Sequence, residues 1–158
     1  MSLLPFFRWC DGSWIGVAIR DSRFLFPIIE TFHLLGITML LGILLLLNLR
    51  LFNLGLRRQP IDRLAGQLAP WMLGSLGVIL VSGTLLFLSE ALKCYDSGPF
   101  QSKMLLLFLA ILFHFTVYRP FTTSGKALLT PFRARMVASV SLILWFGVGL
   151  AGRAIGFF

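Results

Sequence analysis

Four long apolar segments, separated by short stretches that carry most of the charges, constrain this chain more than any other feature. The segments cover residues 24–49, 64–89, 104–118 and 136–152. None of them alternates apolar with polar residues, so they predict helices and exclude the strands of a membrane barrel. A helix that crosses a bilayer needs about 20 apolar residues, and its backbone polar groups must be satisfied internally. The chain is therefore predicted to be an all-α integral membrane protein, a bundle of four transmembrane helices in one domain.

The composition agrees with lipid covering most of the surface. Hydrophobic residues make up 58% of the chain and charged residues only 13%, whereas about a quarter of the residues of a soluble domain are charged. The predicted helices cover about residues 24–54, 64–92, 99–118 and 134–155 of a single domain, 1–158. The third reaches a sufficient length because Lys103 can extend its ammonium to the membrane surface.

The basic residues predict the orientation of the bundle. The formal net charge is +8, but the basic side chains stand at the ends of apolar segments, so no nucleic-acid partner is expected. Eight follow the first and third helices: Arg50, Arg57, Arg58, Arg63, Arg119, Lys126, Arg133 and Arg135. Six lie at the other end: Arg8, Arg20, Arg23, Lys93, Lys103 and Arg153. This bias predicts a multi-pass membrane protein with the two basic loops in the cytoplasm and both termini on the outer side, which in a bacterial cytoplasmic membrane is the periplasm.

The N-terminal segment, about residues 3–20, differs from the rest of the chain. Trp9 and Trp14 alternate there with charged residues such as Arg8 and Asp11. This mixture is typical of a short helix that lies in the headgroup region of a membrane. A disordered tail is the alternative.

Two histidines, His33 and His114, lie inside predicted spans, where an ionisable residue indicates function. His33 is ten residues past Arg23, and His114 is eleven residues past Lys103. With a rise of about 1.5 Å per residue, both lie about 15 Å below the same end of the bundle. Imidazoles at one depth on two parallel helices can bind one iron from both sides, so His33 and His114 are predicted as metal ligands, the axial ligands of a haem b.

The depth depends on the boundary from which it is counted. Counted from Arg50 and Arg119 at the other end, the two histidines differ in depth by about 18 Å. We favour the first count because the first helix can continue past the membrane to Leu54. A copper or other metal site, and structural histidines that are hydrogen-bonded between helices, are the alternatives to haem.

Two residues near His33 are candidates for the same site. Gly36, one turn later, would let a flat ring approach the backbone, although small residues also serve ordinary helix packing in membranes. Glu30, three residues earlier, shares nearly the same face and could assist the ligand or handle protons. The alternative for Glu30 is a protonated side chain close to the membrane surface.

Four cations at the predicted periplasmic end could pair with the propionates of a haem. They are Arg20, Arg23, Lys103 and Arg153. The alternative is that they only anchor helix ends to lipid phosphates.

The two cysteines, Cys10 and Cys94, are predicted to lie on the same side of the membrane. A disulfide between them is chemically possible in the oxidising periplasm. Free cysteine is also a common small apolar filler, so both possibilities stay open.

The chain resembles an uncharacterised family of small bacterial four-helix membrane proteins that is known only as a domain of unknown function. The resemblance covers nearly the whole chain and rests on residues 18–22, 26–36, 48–51, 70–72, 82–83, 103–104, 113–114, 118–119 and 151–153. It implies the four-helix membrane topology. It implies no activity, because the family has no agreed one.

A weaker likeness is to the HemJ-type protoporphyrinogen oxidases, which are small haem-binding membrane proteins. Lys103 and His114 fit the spacing of a lysine and a histidine on a later helix of that group, and His33 with Gly42 loosely fits the early helix. The chain departs from the Leu-Pro-Arg-Leu-Phe run of that group, because residues 48–52 read Asn-Leu-Arg-Leu-Phe. The likeness therefore implies a haem site more than it implies the enzyme activity.

The expected function is electron transfer by a haem b membrane protein that serves a partner oxidoreductase or a quinone. Two axial histidines leave the iron no position for substrate, so electron transfer is favoured over oxygen chemistry. A protoporphyrinogen-oxidase-like enzyme and a cofactor-free scaffold or accessory subunit are the alternatives. Assembly into a homo-oligomer is also open.

Overall fold

The computed structural model describes residues 4–54, 58–124 and 131–155. Within these ranges the chain is helical and forms no strand. The helices are α1 (Leu4–Asp11), α2 (Trp14–Asp21), α3 (Leu25–Leu51), α4 (Ile61–Ser89), α5 (Ala91–Tyr95), α6 (Gly98–Phe113), α7 (Arg119–Thr123) and α8 (Pro131–Ala154). A single turn of π-helix, His114–Tyr118, joins α6 to α7 without a break.

Four of these helical stretches are long and apolar enough to cross a membrane. They contain 27, 29, 26 and 24 residues, the third being α6 with its continuation to Thr123. With a rise of about 1.5 Å per residue they are roughly 36 to 44 Å long, which exceeds a hydrocarbon core of about 30 Å. Large apolar side chains such as Leu35, Phe108 and Ile143 are exposed along them. The protein is therefore a multi-pass, all-α membrane protein, as the apolar segments predict.

The long helices form a bundle in which neighbours run in opposite directions. Helix α3 packs against α4 and α8, α6 packs against α8, and α7 packs against α4. Consequently α3 and α6 are parallel and lie diagonally across the bundle. The core between them contains apolar side chains such as Leu40, Leu44 and Leu47.

Close packing of α3 on α4 depends on Gly36. A Cβ atom at this position would lie 3.0 Å from Cγ1 of Ile79 and 3.3 Å from Cγ1 of Val78. Gly36 therefore brings two helices together, and the space beside it is filled by α4.

Two short helices take the place of the single N-terminal segment that the sequence predicts. The run Asp11-Gly12-Ser13 interrupts the helix, and the Ser13 side chain caps α2 by accepting a hydrogen bond from the backbone N–H of Gly16 at 3.2 Å. Trp9 and Trp14 are 73% and 80% exposed. That exposure is what aromatic side chains in a headgroup layer require.

Helix α2 lies across the end of α4 and closes one end of the bundle, which we call the capped end. The backbone of α2 approaches the Leu88 carbonyl so closely that a Cβ on Gly16 would collide with it. Arg20 holds this arrangement, because it donates to the Asp11 carboxylate at 3.0 Å and to the Ser89 carbonyl at 3.0 Å. Helices α3 and α6 begin at the capped end.

The third span continues past residue 118, where the sequence predicts that it ends. Pro120 suggests a break because it lacks a backbone N–H. In the structure the helix continues through Pro120, which lies at the start of α7, just after the π turn. The π turn stands directly before that helix, and turns of this kind occur frequently at functional sites.

Candidate functional site

His33 projects from α3 towards α4 and is held there by Ser82. The ring is buried, and its Nδ1 lies 2.8 Å from Oγ of Ser82. The Ser82 hydroxyl donates its only hydrogen to the Val78 carbonyl at 2.5 Å. With that hydrogen on the Val78 carbonyl, the proton between His33 and Ser82 is assigned to Nδ1 of the imidazole. In this neutral tautomer the lone pair is on Nε2, which is the atom that a metal binds.

The ring of His33 lies close to the backbone of α4 and near one cationic side chain. A Cβ on Gly83 would lie 3.1 Å from Cε1 of His33, so the ring rests against α4. Lys103 of α6 is half-buried and near enough for its charge to act on His33. The Lys103 side chain runs along Gly152 of α8, where a Cβ would meet its Cε at 3.4 Å. The ion pairs formed among the described residues, Arg20–Asp11 and Lys93–Glu90, do not include Lys103.

The environment of His114 differs from that of His33 in hydrogen bonding and in its aromatic neighbours. It is 4% exposed and begins the π turn. Neither of its ring nitrogens has a hydrogen-bond partner among the described residues. Its immediate neighbours are the rings of Phe115 and Tyr118, whose centroids each lie 5.3 Å from the imidazole.

Further polar atoms without partners lie within about 6 Å of His114 along the bundle axis. The Tyr118 hydroxyl donates to Oδ1 of Asn48 at 3.1 Å, while Nδ2 of Asn48 has no partner in the described ranges. Oγ of Ser141 on α8 is likewise buried without a partner there. Ser141 lies close to the level of His114, because Gly147 and Gly152 of α8 face residues 106 and 103 of α6. We call Asn48, His114, Tyr118 and Ser141 the polar cluster.

The bond between Asn48 and Tyr118 fixes how far α3 and α6 are offset along the bundle. His33 precedes Asn48 by fifteen residues, and His114 precedes Tyr118 by four. These separations correspond to about 22 Å and about 6 Å along the helix axes. The two imidazoles therefore lie at levels that differ by about 16 Å.

This offset does not fit one iron held between His33 and His114. Bonds of about 2 Å from a metal to each imidazole would put the two nitrogens about 4 Å apart. The offset agrees with the depth counted from Arg50 and Arg119, and not with the count that the sequence favoured. The physical reason is that Lys103 extends along α8 at the level of His33, so its position in the chain does not mark the same boundary as Arg23.

The other predicted site residues are not gathered around His33. Arg20 is engaged with Asp11 and Ser89, Glu30 and Arg23 are exposed, and Gly36 is part of the α3–α4 packing. Arg153 is exposed at the end of α8. Of the predicted set, Lys103 is the residue whose charge acts on His33.

Sequence reasoning missed Asn48, Tyr118 and Ser141. An asparagine within an apolar span was a signal that could have drawn attention to Asn48. Ser141 gave no signal, because serine is common where membrane helices pack.

The two cysteines are both free and buried, and both lie at the capped end. Cys10 is in α1, and Cys94 is in α5, on which α1 packs. Burial raises the pKa of both thiols, and the nearby Glu90 carboxylate also raises the pKa of Cys94.

Comparison with known proteins places the chain by family and not by activity. A family model described as a family of unknown function (DUF6644) matches residues 6–158. No curated protein and no solved structure matches the chain. The likeness to HemJ-type enzymes is therefore not shown. Among the described residues there is also no group of three or more His, Cys, Asp or Glu that could hold a metal ion.

Proposed function

The chain belongs to the family of unknown function DUF6644, and we propose that it is a membrane protein that binds haem b and transfers electrons. His33 is the proposed haem ligand. The observation that carries this proposal is the hydrogen bond from Nδ1 of His33 to Ser82. Histidines that bind metals donate their other ring N–H to a neighbouring acceptor, which fixes the tautomer and the ring orientation.

The side chains around His33 supply what such a ligand needs. Ser82 orients the ring, and its own hydrogen is taken up by the Val78 carbonyl. Lys103 provides a cation for a propionate at the same level, where a charge-assisted hydrogen bond is stronger than in water. Bound haem supplies a one-electron redox centre. The apolar helices exclude water from it.

His114 is not assigned to the same iron, because the hydrogen bond between Asn48 and Tyr118 holds it at another level. Bringing it to His33 would require sliding α6 along α3 by more than 10 Å, roughly two helical turns. That movement would break the bond between Asn48 and Tyr118. The proposal therefore replaces ligation by two histidines with ligation by His33, and assigns no second ligand.

The proposed setting is the bacterial cytoplasmic membrane, with the capped end towards the periplasm. Arginines such as Arg50, Arg58, Arg63 and Arg119 cluster at the opposite end, as the distribution of cytoplasmic charge favours. Arg57 and Lys126, which contribute to the same bias, lie outside the described residues. The electron partner in this setting is a membrane oxidoreductase or a quinone.

The test is the absorption spectrum of the full chain, purified in detergent from haem-supplied cells, oxidised and reduced. We expect a b-type spectrum for the unaltered protein and for His114→Ala, and its loss in His33→Ala. Circular dichroism and gel filtration of each variant serve as the folding control. An unaltered protein without haem, or a His33→Ala variant with an unchanged spectrum, would overturn the proposal. Loss of the spectrum in both variants would restore ligation by two histidines and overturn ligation by His33 without His114.

A cofactor-free accessory subunit is the second candidate, and one observation favours it. The bond between His33 and Ser82 also joins α3 to α4, and hydrogen bonds of this kind stabilise helix pairs in membranes. For such a subunit, no variant would carry haem, and both His33→Ala and Ser82→Ala would lower the thermal stability to a similar extent.

A further inference from the structure

All the buried side-chain nitrogen and oxygen atoms that have no hydrogen-bond partner in the described ranges belong to the polar cluster. They are Nδ2 of Asn48, both ring nitrogens of His114 and Oγ of Ser141. Asn48 and Ser141 are 0% and 1% exposed, so lipid and bulk water do not reach them. In native proteins nearly all such groups are hydrogen-bonded to protein, water or a ligand.

The chemistry of these atoms indicates which ligand they would take. Oδ1 of Asn48 is engaged by Tyr118, so the amide offers only its N–H donors. A neutral His114 offers one donor, and the Ser141 hydroxyl offers another. Asn48, His114 and Ser141, which stand on three different spans, thus each have a donor without a partner among the described residues, and acceptor oxygens on a ligand would satisfy these donors.

The surroundings restrict the ligand further. Ala110 precedes His114 by one turn, Ala138 precedes Ser141 by three residues, and both are fully buried. The rest of this level is apolar and includes Leu44 and Leu47. A ligand that enters from the bilayer must therefore be largely apolar and carry carbonyl oxygens.

We propose that the polar cluster binds the carbonyl head group of a quinone, with Asn48, His114 and Ser141 as hydrogen-bond donors. This site names the electron partner of the proposed function, and in that sense rests on it. Its residues, however, are separate from His33 and Ser82. Binding can therefore be measured in a chain that carries no haem.

Trp145 provides a local probe of the site. It follows Ser141 by one turn of α8 and is 5% exposed. The other three tryptophans, Trp9, Trp14 and Trp71, are all more than 60% exposed, so phenylalanine can replace them without entering the core. Quinones quench indole fluorescence at short range, so Trp145 alone would report occupancy.

The experiment titrates short-chain ubiquinone into the full chain with Trp145 as its only tryptophan, in the His33→Ala background and in nanodiscs. The matched compound is the dimethyl ether of the reduced quinone, which keeps the ring and tail but has no carbonyl oxygen. Because it accepts no electron and does not quench indole fluorescence, it is added as a competitor. We expect saturable quenching by the quinone that an excess of the ether does not displace. Non-saturating quenching would mean partition into lipid only, with water satisfying the cluster, and displacement by the ether would mean that the carbonyl oxygens are not recognised; either result would overturn the inference.

Variants of the cluster make the test residue-specific. Ser141→Ala is expected to weaken quinone binding about threefold to tenfold, the range for one hydrogen bond. Asn48→Leu and His114→Leu are expected to weaken it at least tenfold. The control is Ser75→Ala, because Ser75 is equally buried but its hydroxyl donates to the Met72 carbonyl. Affinity unchanged in Ser141→Ala, or lowered equally in Ser75→Ala, would contradict the inference.

The two proposals fail separately. Quinone binding in a protein that never carries haem would refute the proposed function and leave the site standing. A haem spectrum that depends on His33, without quinone binding, would refute the site and leave the function standing.

Discussion

His33 and His114 are both buried on apolar helices, yet their ring nitrogens differ in hydrogen bonding. His33 donates to Ser82 and lies beside Lys103, whereas His114 has no hydrogen-bond partner among the described residues. The first environment orients a histidine for a ligand that binds Nε2. The environment of His114 leaves several hydrogen-bond donors without partners among the described residues. Two histidines with nearly the same spacing from a preceding cation thus have different chemistry, because the neighbouring helices differ.

The largest expected effect is at the contact that orients His33. Ser82→Ala removes the acceptor of the Nδ1 proton, and loss of such a partner typically costs about tenfold to 100-fold in metal affinity. Haem titration of the purified variant measures this, and Ser75→Ala is the matched control on the same helix. Unchanged haem affinity in Ser82→Ala would show that this bond serves helix packing only.

The next effect tests the contact that separates the two levels. Tyr118→Phe deletes the hydroxyl that donates to Asn48 and leaves Oδ1 of Asn48 buried without a donor. The free energy of unfolding should fall by about 2 kcal/mol. Tyr95→Phe, which alters the other tyrosine of the chain, is the control. Unfolding in mixed micelles measures the difference, and equal stability of both variants would remove the support for the offset between α3 and α6.

A smaller effect is expected where α3 meets α4 beside His33. Gly36→Ala places a Cβ 3.0 Å from Ile79, so the helices must shift slightly, at a cost of about 1 kcal/mol. Gly42→Ala on the same helix meets nothing within 4 Å and should leave the stability unchanged or slightly higher. If both alanines proved neutral in the same unfolding assay, the packing around His33 would be looser than the structure indicates.

The smallest effect concerns the reactivity of the capped end. Burial raises the pKa of Cys10 and Cys94, so at a given pH less thiolate is present than in the unfolded chain. An impermeant maleimide should label the folded protein slowly at neutral pH. The rate should rise with pH, and the rise should come at a higher pH for the folded protein than for the denatured protein. After reduction, both thiols should react from the periplasmic side of intact cells. Labelling of either from the cytoplasm only would reverse the proposed orientation.

The fold was largely predictable from the residues, because span length and hydrophobicity are local properties. Each long helix covers most of the apolar segment that predicts it, and the family match confirms the resemblance carried by residues 26–36 and 103–104. Pro120 misled the prediction of where the third span ends. The effect of a proline depends on whether the helix around it is regular, and the π turn at 114–118 is not visible in the sequence.

The candidate site was predictable only in part. His33, His114 and Lys103 were found because ionisable residues in apolar spans are rare. Their grouping rests on a depth count from Arg23 and Lys103 that differs from the offset marked by Asn48 and Tyr118, since a long lysine side chain can reach a boundary several ångströms from its own backbone.

The sequence by itself determined that this chain crosses a membrane four times, because enough apolar residues in a row can be satisfied only by helices in lipid. It also determined the family. Only the tertiary structure decided which side chains share a level, because the sequence specifies positions along each helix but not the offset between helices. The bond between Asn48 and Tyr118 marks that offset, and with it the two histidines lie at different levels of the bundle.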